Sequence, residues 1–196
     1  MTRWQLDWTT PAGALCAFEP TADELEAHVP ALVAAYNEPH NARLLGHTSL
    51  LSADDVREHF AALRDEGGRA LLLYRDGALA GDADLREPDG DACEFAFLIA
   101  APAAQGKGLG TAFATMIHAA AFADGALTRI YASVLPSNVA SRRVFEKLGY
   151  ALDTSAAARA RGDDGDVVLS IDRRTFVERH AAAIAEIRRS LRPRSS

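Results

Sequence analysis

Gln105-Gly106-Lys107-Gly108-Leu109-Gly110-Thr111 separates two apolar runs, and its reading fixes how the chain on either side is arranged. Before it, Phe95 to Ala101 is a short continuous apolar run of the kind that forms a buried strand. After it, an alanine-rich run from Thr111 to Ala123 has the length of a helix. The glycines therefore occupy a strand-to-helix turn. Glycine at alternate positions removes side chains where a helix start leaves its first amides unpaired and partially positive. Such a turn suits an anion, a phosphate above all, and Lys107 adds a full charge. A nucleotide P-loop requires Ser or Thr after the lysine, and here Gly108 follows Lys107. A dinucleotide-binding turn requires G-x-G-x-x-G, and the spacing here is G-x-G-x-G.

The pattern that does fit is Q-x-x-G-x-G, met by Gln105, Gly108 and Gly110. It resembles the pyrophosphate loop of the GNAT superfamily, the acyl-CoA-dependent N-acetyltransferases. A second stretch strengthens the resemblance: Asn138, Ser141, Phe145, Glu146, Lys147, Gly149 and Tyr150 are similar to that family's later motif, N-x-x-S-x-x-x-[YF]-E-K-x-G-[FY]. The likeness covers Cys93 to Tyr150 and is diffuse elsewhere.

Composition bounds the alternatives. With 196 residues, 48% hydrophobic and 24% charged, the chain reads as one domain with an appendage: an acetyltransferase-like unit over 1–172 and an additional amphipathic helix with a basic tail over 173–196. It contains no apolar run long enough for a transmembrane helix and no signal peptide at Met1, so a cytoplasmic location and no membrane partner are expected. Cys16 and Cys93 lack metal spacing and read as reduced thiols, and no metal is expected. Residues 1–104 hold 7 Lys+Arg against 18 Asp+Glu, a balance of −11, whereas residues 105–196 hold 14 against 9, a balance of +5. An acidic total without aromatic-basic interleaving argues against nucleic acid.

Taken in order, residues 1–13 read as an irregular lead-in or edge strand and Ala14 to Phe18 as a strand. Capping boxes at Thr21…Glu24 and Ser52…Asp55 open two helices, the first broken near Pro30. Asn37 to Thr48 reads as a loop carrying His40 and His47. Asp76-Gly77 marks a hairpin turn between Ala70–Tyr74 and Ala78–Ala80. Cys93–Ala100 and Arg129–Leu135 read as strands, Val139–Lys147 as a helix closed by Gly149, and Asp166–Ile171 as a last strand. A capped helix from Thr175, striped by Val177, Ile184, Ile187 and Leu191, follows, with Arg188, Arg189, Arg192 and Arg194 at its end. Packing on its own domain and formation of a homodimer are the two roles open to it.

This order predicts an α/β fold: a mixed, mostly antiparallel central sheet with helices on both faces. The resemblance adds a splay between the fourth and fifth strands, Cys93–Ala100 and Arg129–Leu135, into which the pantetheine arm of acetyl-CoA would enter. It implies backbone partners at Leu98, Ile99 and Ala100. The pyrophosphate would lie on Gln105, Gly106, Lys107, Gly108, Leu109, Gly110 and Thr111, with Asn138, Ser141, Arg142 and Phe145 along the rest of the cofactor. Asn138 is equally readable as a helix cap.

The implied reaction moves an acetyl group from acetyl-CoA to a primary amine by direct attack. The acceptor is a small-molecule amine or a peptide N-terminus. The chemistry needs a base, because an ammonium has no lone pair. Glu94 is the candidate, with His40 and His47 as alternatives. Many family members protonate the leaving thiolate with a tyrosine where this chain has Phe145; Ser141, a water or another tyrosine would substitute, or the thiolate leaves unaided. A non-catalytic acyl-CoA sensor or interaction module is the alternative function.

Overall fold

The computed structural model describes residues 2–162 and 165–192. A hairpin of β1 (Arg3–Thr10) and β2 (Gly13–Phe18) comes first. Four helices follow: α1 (Ala22–Glu26), α2 (Val29–Tyr36), α3 (Pro39–Leu45) and α4 (Ala53–Asp65). Next is a meander of β3 (Arg69–Arg75), β4 (Ala78–Asp89) and β5 (Ala92–Ile99). The glycine turn leads into α5 (Leu109–Ala123), β6 (Arg129–Val134), α6 (Val139–Leu148) and β7 (Ala151–Leu152). Short α7 (Ala156–Arg159), β8 (Val167–Asp172), α8 (Arg173–Glu186) and β9 (Arg188–Arg192) complete the described chain.

The strands form one sheet in the order β7-β8-β6-β5-β4-β3-β2-β1-β9, antiparallel everywhere except between β5 and β6. Alternation assigns the two faces. Leu71, Leu73, Ala83, Leu85, Phe95 and Ile99 face α5, α6 and α8 in the larger core. Leu72 and Leu98 face the other way, into a second core with Leu25, Val29, Leu32, Tyr36, Val56 and Phe60 of α1, α2 and α4. The sheet is therefore mixed and covered on both faces, as the order of elements predicted. Among the described residues no helix is long and apolar enough to cross a membrane.

Both capping boxes form, and Pro30 opens α2 after a break from α1. Asp76 and Gly77 both take positive φ, 51° and 80°, as the predicted hairpin turn requires. Four elements differ from the expectation. Residues 3–10 are a full strand, and β9 lies outside it, so β1 is not an edge. The polar segment after Asn37 contains α3, opened by the Glu38 side chain and closed by Gly46 at φ 73°. Strand β4 runs on through Asp82, Asp84 and Arg86, well past Ala80.

The C-terminal helix is the fourth. It starts from the Asp172 cap and stops at Glu186, and its fully buried anchor is Phe176; of the predicted stripe Ile184 and Ile187 pack on the larger core, whereas Val177 and Leu191 are exposed. Arg188–Arg192 pairs with β1 as a strand, and its arginines have partners on three elements: Arg189 stacks over Trp4 of β1 at 5.2 Å and pairs with Asp124 at the end of α5 at 2.9 Å, and Arg192 pairs with Glu24 of α1 at 2.5 Å. Arg194 lies outside the described residues.

Candidate functional site

Three of the glycines do different work. Gly106 and Gly108 sit at φ 73° and 84°, a left-handed backbone that a side chain strains, and a Cβ at either would meet open space. Gly110 has ordinary helical geometry, but a Cβ there would lie 2.9 Å from the Phe97 ring. Gly108 is the N-cap of α5 and offers no side-chain acceptor, so the amides of Leu109, Gly110 and Thr111 receive no cap bond. Gly106, Gly108, Gly110 and Thr111 line a cleft of about 800 Å³. Leu109 is buried in the core beneath it, and Lys107 is exposed outside the lining.

The cleft exists because β5 and β6 part company. Their parallel pairing spans only Ala92–Glu94 against Arg129–Tyr131. Beyond that point Phe95 to Ile99 and Ser133 to Leu135 form opposite walls of the cleft. These are the fourth and fifth strands of the sequence reading, renumbered by the extra β1. Ala100 N–H donates to Ala80 O, and the antiparallel register from Gly81–Ile99 to Arg86–Glu94 is unbroken. Hydrogen-bonding sides alternate along such a pair. Leu98 and Ala100 therefore direct their backbone groups at β4, and Phe97 and Ile99 direct theirs at the gap. Ala100 O is also taken, by Asn41 Nδ2 at 2.8 Å.

Gln105 braces the turn. Its Nε2 donates to Asn41 Oδ1 and to Ile99 O, both at 2.9 Å, and its Oε1 lies 3.1 Å from His40 Nε2. The side chain thus ties α3 to the glycine turn, and His40 is engaged there. Asn138 acts as the cap of α6: Oδ1 accepts from Ser141 N at 3.0 Å, and Nδ2 donates to Leu44 O at 3.0 Å. Ser141 and Phe145 line the cleft, as do Arg143 and Lys147; Arg142 does not. Phe145 is buried among Phe95, Phe97 and Tyr150, with ring centroids 4.9 to 6.3 Å away. None of the four tyrosines lines the cleft. Tyr150 is instead bonded to the buried His118 at 2.5 Å, a ring whose burial pushes its pKa down to about 3.

Glu94 also lines the cleft, but its carboxylate is not free. Arg86 grips one oxygen, Oε1, through both Nη2 and Nε, the latter at 3.1 Å. Only 1% of the residue is exposed; burial pushes its pKa up, against the pull of Arg86. The strand register sets further polar residues beside it. Asp82, Asp84 and Arg86 lie directly opposite Leu98, Ala96 and Glu94, on the face covered by α2 and α4. The Tyr36 hydroxyl donates to Asp82 Oδ2, and His59 Nε2 lies 3.5 Å from Asp84 Oδ2. His47 lines the cleft with its Nδ1 unpartnered, and burial lowers its pKa. The sequence reading did not pick out Asp82 and Asp84. Their signal was strict polar-apolar alternation from Asp82 to Arg86, hidden by residues that favour turns.

Residues 22–151 match the family model described as an acetyltransferase (GNAT) domain. The chain belongs to the GNAT acetyltransferase family. Among curated sequences nothing matches this GNAT protein. Solved structures share its fold: Mycobacterium smegmatis RimJ in complex with CoA-disulfide superposes with a TM-score of 0.67 at 19% identity, over 95% of this chain and 99% of that one. Aminoglycoside acetyltransferase AAC(6')-Ib in complex with coenzyme A gives 0.69 at 22% identity, over 84% and 98%. The Vibrio cholerae spermidine N-acetyltransferase, in complex with CoA and spermine, gives 0.68 at 19% identity, over 83% and 98%.

Proposed function

We propose that this GNAT protein transfers an acetyl group from acetyl-CoA to a primary amine by direct attack. One observation carries the reading: the uncapped start of α5 and the open edge of β5 belong to a single cleft. A pyrophosphate on the amides of Leu109 to Thr111 is favoured by the helix dipole and by the left-handed glycines that bare them. From there a pantetheine arm would follow the gap, meeting the backbone of Phe97 and the N–H of Ile99 as an added strand would, the Ile99 carbonyl being held by Gln105. Arg143 and Lys147 on the rim would attract the phosphates. Ser141 is the hydroxyl nearest in sequence to Phe145 on the cleft wall, so thiolate departure rests on Ser141, on water, or on the thiol's own pKa near ~8.5.

The acceptor class is supported by solved relatives whose bound ligands include spermine and, in a further AAC(6')-Ib complex, kanamycin. The test is thiol release and acetyl mass gain on a panel of amines and peptides with free N-termini, alongside CoA binding by calorimetry. CoA-dependent acetylation of at least one amine is the expected result. CoA bound tightly with no turnover across the panel would convert the reading to an acyl-CoA-binding module. No CoA binding would end both.

A further inference from the structure

The row Asp82-Asp84-Arg86 is a polar strip in the middle of a sheet, where carboxylates are costly unless paired. Asp82 and Asp84 are 4% and 6% exposed. Tyr36 satisfies Asp82 Oδ2, yet Asp82 Oδ1 is buried with no hydrogen-bond partner. Asp84 Oδ1 likewise has no hydrogen bond, the Arg86 Nε lying 3.9 Å away. Two orphaned carboxylate oxygens side by side are acceptors waiting for a donor.

The cleft runs beside them, although neither aspartate lines it. Each residue opposite the row lines it: Leu98 beside Asp82, Ala96 beside Asp84, Glu94 beside Arg86. Ala96, directly opposite Asp84, is the smallest of the three and half-buried, so the side-chain cover between cleft and row is least there. On the other side, His47 lines the cleft, and its ring lies 6.1 Å from that of Tyr36. Charge counting then points to the ligand. Asp82, Asp84 and Glu94 are three carboxyl groups beside one guanidinium, Arg86, with His59 3.5 Å from Asp84 and its pKa raised by that contact. Such a row suits a cation with hydrogen-bond donors. Among the described residues no three His, Cys, Asp or Glu side chains group as a metal site.

We propose that the Asp82–Asp84 row is the subsite for a primary ammonium group, and that Asp82, held by Tyr36, takes the proton that activates it. The inference rests on the acetyltransferase reading above for its chemistry. Glu94 is committed to Arg86, so its part is to hold that guanidinium off the aspartates. The acceptor's ammonium passes one proton to the Asp82 carboxylate, leaving a neutral amine and a neutral carboxyl. The nitrogen lone pair forms the bond to the acetyl carbon, the carbon–sulfur bond breaks with its pair on sulfur, and the nitrogen's surplus proton ends on that thiolate. The products are an amide and a thiol, and Asp82 returns its proton to solvent. Burial brings the Asp82 pKa up to about 7, where a base works best near neutral pH. The groups facing it are Tyr36 from α2, His59 from α4, Asp84 and Arg86 from β4, Glu94 from β5, and His47 beyond α3.

The experiment compares wild type, Asp82→Asn and Tyr36→Phe with n-butylamine as acceptor, and n-butanol as the uncharged control. CoA affinity reports that each variant is folded. In wild type kcat/KM rises with pH through a limb near 7. Asp82→Asn is expected to lose that limb and at least ~100-fold in kcat while keeping CoA affinity. Tyr36→Phe removes a hydrogen bond that favours the ionised carboxylate, so its limb moves to higher pH. An Asp82→Asn enzyme within threefold of wild type, with the same limb, overturns the proposal. Should wild type bind CoA but acetylate no amine, the catalytic reading fails separately, and titration of n-butylamine into the CoA-loaded protein decides the subsite. Binding heat that vanishes in Asp82→Asn and is absent for n-butanol upholds it; equal heat in wild type and variant overturns it.

Discussion

Gly108→Val tests the phosphate turn. Gly108 holds φ 84° at the cap of α5, and a Cβ built there meets nothing within 4 Å. Crowding is therefore not the cost; the backbone is. A β-branched residue in the left-handed region costs about 1–3 kcal/mol, and the chain relieves that strain by rotating the peptide that orients the amides of Leu109 and Gly110. A hydrogen bond to a charged group contributes about 1.5–3 kcal/mol, so losing two weakens CoA by about 3–6 kcal/mol, a rise of at least ~100-fold in Kd. Stability falls by no more than the strain itself, because the added methyls point into open space. Calorimetric titration of CoA, with a thermal melt on the same samples, measures both. A folded variant that binds CoA within threefold of wild type would refute the assignment of the pyrophosphate to this turn.

Arg86→Met leaves the buried Glu94 carboxylate unpaired, and should destabilise the fold by about 3–5 kcal/mol at pH 8. Because burial raises the Glu94 pKa, the folded state holds a proton that the unfolded chain has shed, so this loss shrinks at pH 5; urea melts showing equal losses at both pH values would sink the argument. Asp82 behaves likewise on its own: with a folded pKa of about 7 against about 3.9 unfolded, wild-type stability falls as pH rises from 4 to 7, by up to about 4 kcal/mol. Asp82→Asn should flatten that slope, and an unchanged slope in urea melts would contradict it. Gln105→Ala removes the brace between α3 and the glycine turn and leaves Asn41 Oδ1 short of a donor, so a loss of about 2 kcal/mol and a raised CoA KM are expected; an unaltered melt would count against it. Phe145→Tyr should leave kcat nearly unchanged if thiolate protonation is not limiting, whereas a tenfold gain, about 1.4 kcal/mol off the barrier, would show the missing acid to matter.

What the chain determined locally was read locally. The glycine turn follows from positive φ at Gly106 and Gly108, the two capping boxes from side chains bonding amides three residues on, and the Asp76-Gly77 hairpin from turn chemistry. Each is specified by a few neighbouring residues, so sequence sufficed, and the family motif confirmed the order. Long-range partners decided the rest. The strand reading stops at Ala80 because glycine and aspartate disfavour strands, yet the chain continues to Asp89 as a central strand since Ala83 and Leu85 are needed by the larger core. Gly81 fits because any Cβ would sit 1.8 Å from Leu98 O on the adjoining strand. That placement is what buries Asp82 and Asp84 beside the cleft, pairs Arg86 with Glu94, and turns an apparent surface acid into a committed ion pair. The arginine-rich end likewise became β9 rather than the close of a helix, because Trp4, Glu24 and Asp124, distant in sequence, lay where its guanidiniums could reach. Burial and pairing with remote residues set a carboxylate's charge and role, and neither is written in its neighbours along the chain.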